Sequence, residues 1–494
     1  MFEEKVGSLK DDERYVQVVH RITGGYRLAL VLLAGLLRFK EKPVQWDAVL
    51  QQLVSVLPPS LGVDNNGYCD GSQQTEQPSL ICSSKRTIEI IFWACFEDLP
   101  NELKSCFLCL AAYPANRCHD ADTLVWMWIA EGFIKPCITG KSMTMEEVGH
   151  DYLRELVLSC LVQLKKTKDG GGIETVRVHK RLMGFLRSEV RDSGFLEIHD
   201  THDVLMPPSA RRLSIQSDSG ITKGALSNRK FSNLRSFICF TAFNDQQYHR
   251  HDLKFLSRSR FIRVIFLWGL CLEELPDDMG DMINLRYLRV DSVYLRRLPC
   301  SFNRLINLQT LDIRKTQVER IHHGLWFIRT LRHVLASNLR PSPFPIEADE
   351  LQTLHGVRPG PYYATSLRSL EMHGFHCEED DAFKAALGKM HLLGHLKLQG
   401  DRIPSCVFTH PGLQSLQTMV LHGTVRWDNI TADVLRKARP NLVQLVLNDT
   451  SEVPQEIKEQ LGTILVLQPT GMRLLSFSVL VRFYLFLPTD LLLS

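Results

Sequence analysis

The hydrophobic pattern of this chain is clearest between residues 99 and 134, where apolar positions recur at helical spacing. A first apolar face runs through Leu103, Phe107 and Leu110, and it predicts a helix that ends before Pro114. A second run, from Leu124 to Ala130, is apolar at every position. We therefore expect two consecutive helices that contribute to a buried core.

The second of these helices carries its own start and stop signals. Asp120 or Asp122 is placed to accept a hydrogen bond from a backbone N–H group of the first turn. Gly132 follows the apolar run, at the position where helices commonly close on a left-handed residue. The sequence therefore predicts a helix between these two signals.

Further elements are predicted upstream of this stretch. A Gly24–Gly25 turn precedes a strongly apolar segment, and this order predicts a helix over Leu28–Leu37. Residues 58–86 contain Pro, Asn, Gly, Ser and Gln and have the composition of a linker. A helix over Thr87–Asp98 is expected to follow it.

Downstream, the pattern alternates between helix and short strands. Apolar spacing predicts a helix over Glu146–Leu164. Gly170–Gly172 then separates two strand-like pieces, which is typical of the wing of a winged helix. Val178–Lys180 joins the second piece to another helix, which continues through Leu186.

The second half of the chain contains a repeat. Ile262, Leu285, Leu308 and Leu331 open similar apolar runs and are separated by 23 residues each. Weaker copies start at Leu234, Leu367, Leu393, Leu416 and Leu442. This period predicts leucine-rich repeats, which bury their apolar faces against their neighbours. The interval between Leu331 and Leu367 is too long for one repeat, and its prolines predict an inserted loop.

The residue after the first apolar position of each repeat is usually basic. In five clear repeats it is Arg263, Arg286, Gln309, Arg332 and Arg368. Because adjacent strands lie about 4.8 Å apart, these side chains should form a column on an exposed face. We expect the four arginines, together with Arg289, to bind an acidic protein surface. The alternative is that they are merely solvated, with Asp291 and Asp312 as partners.

Composition narrows the class of protein. The net charge is +3, from 58 basic and 55 acidic residues, which gives no reason to expect a nucleic-acid partner. The first residues have no apolar signal segment, no apolar run is long enough to span a membrane, and the 13 cysteines follow no regular framework. We therefore expect a cytoplasmic protein. No catalytic or metal-binding motif was found, so we expect neither an enzyme nor a metal site.

Three of these motifs resemble plant NB-ARC leucine-rich-repeat disease-resistance proteins of the coiled-coil type found in grasses. Residues 99–134 resemble the start of their winged-helix subdomain, the turn at Gly25 resembles their GLPLA motif, and Val178–Lys180 resembles their Met-His-Asp motif. The resemblance implies a multidomain α/β fold. Its expected parts are the helical end of the NB-ARC module at 1–57, a linker at 58–86, the winged-helix subdomain at 87–200, leucine-rich repeats at 211–470 and an atypical apolar tail at 471–494.

In that family the GLPLA and Met-His-Asp motifs contact bound ADP. The resemblance implies that His179, Gly25 and Leu28 make these contacts here, although Arg27 and Lys180 replace the family's Pro and Asp. The coiled coil and the phosphate-loop core have no counterpart in the sequence. We therefore expect a truncated form with impaired nucleotide switching, no ATPase activity and no retained cofactor.

The implied function is innate immunity. The repeats would recognise a pathogen effector or a modified host protein, with other immune receptors as further partners. The alternative is an F-box leucine-rich-repeat adaptor for ubiquitination, because Leu99–Leu103 also looks like the start of an F-box. Against this alternative stands the Trp128–Phe133 motif, which an F-box has no reason to carry.

Overall fold

A computed structural model of the chain describes residues 13–40, 42–56, 78–135, 143–168, 171–199, 209–216, 231–241, 253–340, 342, 346, 348–360, 365–375, 381–428, 430–448 and 453–468. The chain divides into two compact units. The first comprises residues 1–165, 173–199 and 210–214, and the second comprises residues 166–172, 200–209 and 215–494. The predicted tail at 471–494 lies outside the described residues.

The first unit is mainly helical. Its helices are α1 Glu13–Thr23, α2 Arg27–Arg38, α3 Pro43–Val56, α4 Pro78–Asp98, α5 Asn101–Cys109, α6 Ala121–Glu131, α7 Met145–Leu158 and α8 Lys180–Asp192. Its short strands are β1 His119–Asp120, β2 Gln163–Thr167 and β3 Ile173–Arg177, and β4 Glu197–His199 and β5 Arg212–Ile215 follow along the chain.

Helix α6 begins and ends as predicted. The Asp120 side chain accepts a hydrogen bond from the backbone N–H of Thr123 at 2.8 Å, so Asp120 rather than Asp122 is the N-cap. Gly132 closes the helix with φ of +87°. Every residue of α6 except Asp122 is buried, which agrees with its continuous apolar run.

Aromatic side chains join three helices of this unit. The ring of Phe92 in α4 lies 6.1 Å from that of Phe107 in α5 and 5.7 Å from that of Phe185 in α8. Gly35 lets α2 approach the end of α7, because an added Cβ would lie 2.3 Å from the carbonyl oxygen of Ser159. Burying each Phe side chain stabilises the fold by about 1.5–3 kcal/mol.

Two sequence predictions need correction in this unit. Helix α4 begins at Pro78, inside the segment 58–86 that composition marked as a linker. Helix α7 ends at Leu158 rather than Leu164, because Cys160 adopts a positive φ of 61° and β2 begins at Gln163. Apolar periodicity alone did not separate the end of the helix from the apolar residues that lead into the strand.

The wing is confirmed. Strand β3 pairs antiparallel with β1, with His119 opposite Val176, and the sheet order is β1-β3-β2. The glycines at 171 and 172 lie in the turn between β2 and β3, and Gly171 has φ of +91°. The described residues therefore combine three helices, α5, α6 and α7, with a three-stranded sheet that ends in a β-hairpin, which is a winged-helix arrangement.

The second unit is a parallel sheet in which successive strands are neighbours. Its strands are β6 Ser236–Phe240, β7 Val264–Trp268, β8 Tyr287–Asp291, β9 Thr310–Asp312, β10 His333–Leu339, β11 Thr353–Val357, β12 Ser369–Phe375, β13 His395–Ile403, β14 Thr418–Val425, β15 Gln444–Asn448 and β16 Leu465–Gln468. This order is that of a leucine-rich-repeat solenoid, as the 23-residue period predicted.

The repeat leucines form the core of this unit. Ile265, Leu288 and Leu311 lie opposite one another in register, and each is fully buried. Some of the returns between strands are short 3₁₀ turns that follow Pro276 and Pro299. Others contain the helices α9 Asp381–Leu387, α10 Cys406–Thr409, α11 Ala432–Ala438 and α12 Gln455–Leu461. Each described helix of the chain is too short or too polar to serve as a membrane span.

The interval between Leu331 and Leu367 holds a repeat that the sequence analysis missed. Strand β11 lies there and pairs with both β10 and β12. Its pattern was hidden because Gly356 occupies the third apolar position, with φ of +71°. An added Cβ at Gly356 would lie 1.9 Å from the carbonyl oxygen of Ala336, so no leucine fits there. The predicted insertion is therefore wrong at residues 353–357.

Candidate functional site

The glycine turn at the start of α2 forms as the sequence predicts. Gly24 and Gly25 have φ of +57° and +73°, a conformation that other residues rarely adopt. The N–H of Tyr26 donates to the carbonyl of Thr23 at 3.1 Å, and α2 begins at the next residue. Leu28 is half-buried in the first turn of this helix.

His179 is the N-cap of α8. Its Nδ1 accepts a hydrogen bond from the backbone N–H of Arg181 at 3.2 Å, so this nitrogen is engaged within the helix terminus. Burial lowers the pKa of His179, and the charges of Arg181, Arg177 and Lys165 lower it further. The imidazole is therefore a neutral ring within a basic environment.

These features suit an anion but do not amount to a nucleotide site. The Gly25 turn and His179 lie at the N-termini of two different helices, α2 and α8. Tight phosphate binding in phosphate-loop proteins depends on a glycine-rich loop that supplies backbone N–H groups and a lysine. The sequence contains no complete loop of that kind. The residues present therefore do not fit ADP as a resident cofactor.

The glutamate of the Trp128–Phe133 motif forms a buried ion pair. The Glu131 carboxylate oxygens accept two hydrogen bonds from the Arg212 guanidinium, each 3.1 Å long. The Glu131 side chain is 2 % exposed. The guanidinium lies 4.3 Å from the ring centre of Phe195 and 5.2 Å from that of Phe133. The sequence analysis missed this pair, because the partners are far apart along the chain.

At the start of the strands, one residue of each repeat donates a backbone hydrogen bond to the equivalent residue of the preceding repeat. We call this continuous row of hydrogen bonds the ladder. The N–H of Arg286 donates to the carbonyl of Arg263, that of Gln309 to Arg286, and that of Arg332 to Gln309, each at 2.8 Å. The same ladder continues through Arg235, Gln352, Arg368, Gly394, Gln417 and Val443. The structure therefore brings the predicted column together and extends it at both ends.

The arginines of the predicted column differ in exposure. Arg263 and Arg286 are half-exposed and Arg368 is exposed. Arg332 is only 8 % exposed, and Arg289 only 9 %. The prediction that all five lie on an exposed face is therefore wrong for Arg332 and Arg289. Arg332 is buried against its own repeat, with its Nε 3.5 Å from a carboxylate oxygen of Glu350.

Arg289 belongs instead to a buried group that we call the first polar cluster, formed with Asp312, Arg314 and Trp268. Asp312 is fully buried, and Arg289 Nη1 and Arg314 Nη2 lie 3.2 and 2.8 Å from its Oδ2. The Arg289 guanidinium lies 5.1 Å from the ring centre of Trp268. Burial raises the pKa of Asp312, but the two arginines outweigh it and hold that pKa below its usual value.

Asp291 and Asp312, the two acids expected beside the arginines, form ion pairs with different residues. Asp291 pairs with Lys315, whose Nζ lies 3.4 Å from its Oδ2, and burial raises the pKa of Asp291. Lys315 Nζ also lies 3.9 Å from the ring centre of Trp268. Asp312 pairs with Arg289 and Arg314 as described above. Asp312 is therefore a partner of Arg289, one of the five predicted arginines, whereas Asp291 pairs with Lys315.

A second polar cluster, formed by Glu371, His355, His373 and Lys397, lies further along the same sheet. Lys397 donates to Glu371, His373 Nε2 lies 3.1 Å from its Oε1, and His355 Nδ1 lies 3.8 Å from its Oε2. Burial raises the pKa of Glu371, but its hydrogen bond to His373 and the nearby charges of Lys397 and His355 hold it well below the usual range. Within the described ranges, no three His, Cys, Asp or Glu side chains are grouped so as to hold a metal ion.

A groove of about 590 Å³ adjoins this second cluster. Its lining combines imidazole, amide, lysine and glycine groups, from residues His373, Gly374, Lys397, Gln399, Gly400, Asp401, His422, Gly423 and Asn448. The glycines let the strands approach closely, since an added Cβ at Gly423 would lie 2.1 Å from the carbonyl oxygen of Gly400. The groove is thus polar and accessible, in contrast to the first cluster.

Together these features define a class of protein: a leucine-rich-repeat protein that also carries a winged-helix domain. The family described as "Disease resistance protein Winged helix domain" matches residues 112–185. The chain is 28 % identical over 349 residues to the ToMV susceptible protein tm-2 of Solanum lycopersicum, covering 67 % of this chain and 37 % of that protein. It is 25 % identical over 337 residues to the disease resistance protein Pik-2 of Oryza sativa, covering 67 % and 30 %. The chain is thus similar to plant disease-resistance proteins over part of its length, and the match spans about a third of the length of these relatives.

Two solved structures match about half of the chain each. The functional domain of InlJ from Listeria monocytogenes is 15 % identical with a TM-score of 0.36, covering 51 % of this chain and 52 % of that chain. A leucine-rich-repeat protein of Leptospira interrogans is 13 % identical with a TM-score of 0.31, covering 57 % and 98 %.

Proposed function

We propose that this chain acts in plant innate immunity and recognises a pathogen effector or a modified host protein through its leucine-rich repeats. The observation that supports this most is the winged-helix match at 112–185 in the same chain as a parallel repeat sheet. Similar proteins include the disease resistance protein Pik-2 and the ToMV resistance protein Tm-2(2). These names belong to proteins about twice as long as this chain, which covers only 30 and 37 % of them, so recognition by this chain is our proposal.

Three arginines of the backbone ladder are the proposed contacts with the partner. Arg263, Arg286 and Arg368 are at least half-exposed and stand at equivalent positions of their repeats. Like charges stacked at the spacing of strands repel one another, so a row of them is stabilised by an acidic partner. Arg289 and Arg332 are no longer proposed as contacts with the partner, because both side chains are buried.

The proposal does not include a nucleotide switch in this chain. Gly25 and Leu28 lie at the start of α2 and His179 caps α8, as the family resemblance implies, but the phosphate-binding loop that would hold ADP has no counterpart in the sequence. We therefore assign the isolated chain a binding role only.

Disruption of the gene tests the proposal. Plants that lack the chain should support more pathogen growth for at least one isolate, and expression of the chain should restore the lower growth. Unchanged growth across a broad set of isolates would contradict an immune role. A pull-down with a Skp-type adaptor tests the F-box alternative, since stoichiometric capture would favour ubiquitination and contradict the proposal.

A further inference from the structure

Four large apolar side chains are exposed in consecutive repeats. Phe261, Ile283, Ile306 and Phe327 are 57, 52, 61 and 42 % exposed, although the leucines beside them are fully buried. Single exposed apolar residues are common on proteins, whereas a contiguous group of them marks a surface used for binding. The feature therefore needs an explanation beyond packing of the solenoid.

The two isoleucines occupy the same place in successive repeats. A side chain in each repeat donates a hydrogen bond to a backbone carbonyl one repeat earlier: Asn284 to Arg260 at 2.9 Å, Asn307 to Ile283 at 2.7 Å, and Thr330 to Ile306 at 2.9 Å. These bonds fix the backbone from which Ile283 and Ile306 project. The surface is therefore preorganised, and little conformational entropy is lost when a partner binds it.

Basic side chains follow these isoleucines toward the strands, whereas Asp281 and Arg304 form an ion pair just before them. The four segments that begin at Arg260, Ile283, Ile306 and Arg329 read RFIR, INLR, INLQ and RTLR and contain no acidic residue. Arg260 and Arg329 are exposed, and the ladder residues Arg263 and Arg286 are half-exposed. We call this surface the apolar edge and define it by Ile283, Ile306, Arg260, Arg263 and Arg286.

We infer that the apolar edge binds an acidic amphipathic helix of a partner protein. Neighbouring repeats are spaced by about 4.8 Å, and residues three or four apart on a helix have Cβ atoms about 5–6 Å apart. Apolar residues at that spacing can therefore contact Ile283 and Ile306 together. Carboxylates on the flank of the same helix that faces the strands would then lie near Arg263 and Arg286. This inference rests on the proposed function, because it states the chemistry of the partner that the ladder arginines recognise.

Selection from a displayed library of random peptides, each long enough for several helical turns, tests the inference with the full chain as bait. The enriched peptides should carry apolar residues at spacings of three and four and an excess of Asp and Glu. Enrichment of basic peptides, or of peptides without this pattern, would overturn the inference. The outcome does not depend on defence signalling, so it is distinguishable from failure of the proposed function.

Affinities of one enriched peptide, measured by fluorescence anisotropy, locate its site. The double variant Ile283→Asp with Ile306→Asp should bind about tenfold more weakly or worse, because it removes the apolar contact and adds repulsion to an acidic helix. The matched control is Leu392→Asp with Val56→Asp, which changes two apolar residues outside the ladder that are 44 and 59 % exposed. The control should bind as the parent chain does.

Three results would contradict the site. Equal affinity of the edge variant and its control would place the peptide elsewhere, as would binding that strengthens at high salt, since screening weakens attraction between opposite charges. A parent chain that is dimeric by sedimentation and becomes monomeric in the edge variant would show that a second copy covers the edge. The circular dichroism melting curves of both variants confirm that each is folded.

Discussion

The two polar clusters of the repeat sheet occupy the same row of strand positions but meet different surroundings. Register places Asp312 of the first cluster and Glu371 of the second in one row that crosses the sheet. Aromatic rings cover the first cluster, and Asp312 is fully buried. The second faces an open groove, with His373 and Lys397 side chains 30 and 32 % exposed. Both clusters combine an acid with basic side chains, and they differ in burial. Burial therefore decides whether such a group only stabilises the fold or is also accessible to a partner.

Loss of an arginine from the first cluster is expected to have the largest effect. Arg289→Ala leaves the fully buried Asp312 with Arg314 as its remaining ion-pair partner, and it should lower the free energy of unfolding by about 3 kcal/mol. The matched variant Lys397→Ala in the second cluster should cost about 1 kcal/mol or less, because water can solvate Glu371 there. Urea denaturation followed by circular dichroism measures both. Equal losses would contradict the distinction between the clusters.

This contrast could not be predicted from the sequence. Arg263, Arg286, Arg289 and Arg332 look alike as basic residues in successive repeats, and the sequence analysis placed them on one exposed face. Which of them is buried depends on contacts across the sheet, such as that of Arg289 with Asp312 one strand away. Apolar periodicity reports which positions face the core of the solenoid, but it does not report how deeply a polar side chain on the other face is covered.

The architecture was more predictable because it depends on local signals. The 23-residue period identified the repeats, and Asp120 and Gly132 bounded α6. Local signals did not predict strand β11. At Gly356 the close approach of Ala336 excludes the leucine on which repeat detection depends, so the exception is set by three-dimensional packing.

A change of pH should affect the second cluster in a defined direction. The pKa of Glu371 is lowered from 4.5 in the folded state, so its contribution to stability is present above pH 4.5 and is lost as the pH falls below that value. Glu371→Gln should remove that contribution. The free energy of unfolding should then fall less between neutral and acid pH, by an amount on the order of 1 kcal/mol. Urea midpoints measured from neutral to acid pH report it. The control is Glu274→Gln, which changes an exposed side chain. The prediction would be contradicted if the free energy of unfolding of the Glu371 variant fell with acid pH as much as that of the parent chain.

Burial also lowers the pKa of nearby His422, and the charge of Lys397 adds to this effect. Its contribution is therefore present above pH 6.5 and is lost as the pH falls below that value. The free energy of unfolding of the parent chain should therefore begin to fall near pH 6.5, which is higher than the pH at which Glu371 starts to contribute to this fall. Replacing His422 with Asn should reduce the early part of the decline, to which His179 also contributes, and should leave the later part, to which Asp312 and Glu371 contribute.

Charge reversal on the ladder should have the smallest effect on stability. Arg263→Glu with Arg286→Glu changes two half-exposed side chains, so the free energy of unfolding should shift by less than about 1 kcal/mol. Thermal or urea unfolding measures this shift. A larger loss would show that these arginines stabilise the solenoid and would remove the main support for their role in binding.

The most direct test of the account is restoration of resistance in plants that lack the chain. The parent chain and the control Arg297→Glu with Arg320→Glu, which reverses two exposed arginines outside the ladder, should both reduce pathogen growth. The variant Arg263→Glu with Arg286→Glu should accumulate to the same level but fail to reduce growth. Full restoration by that folded variant would contradict recognition through the ladder arginines.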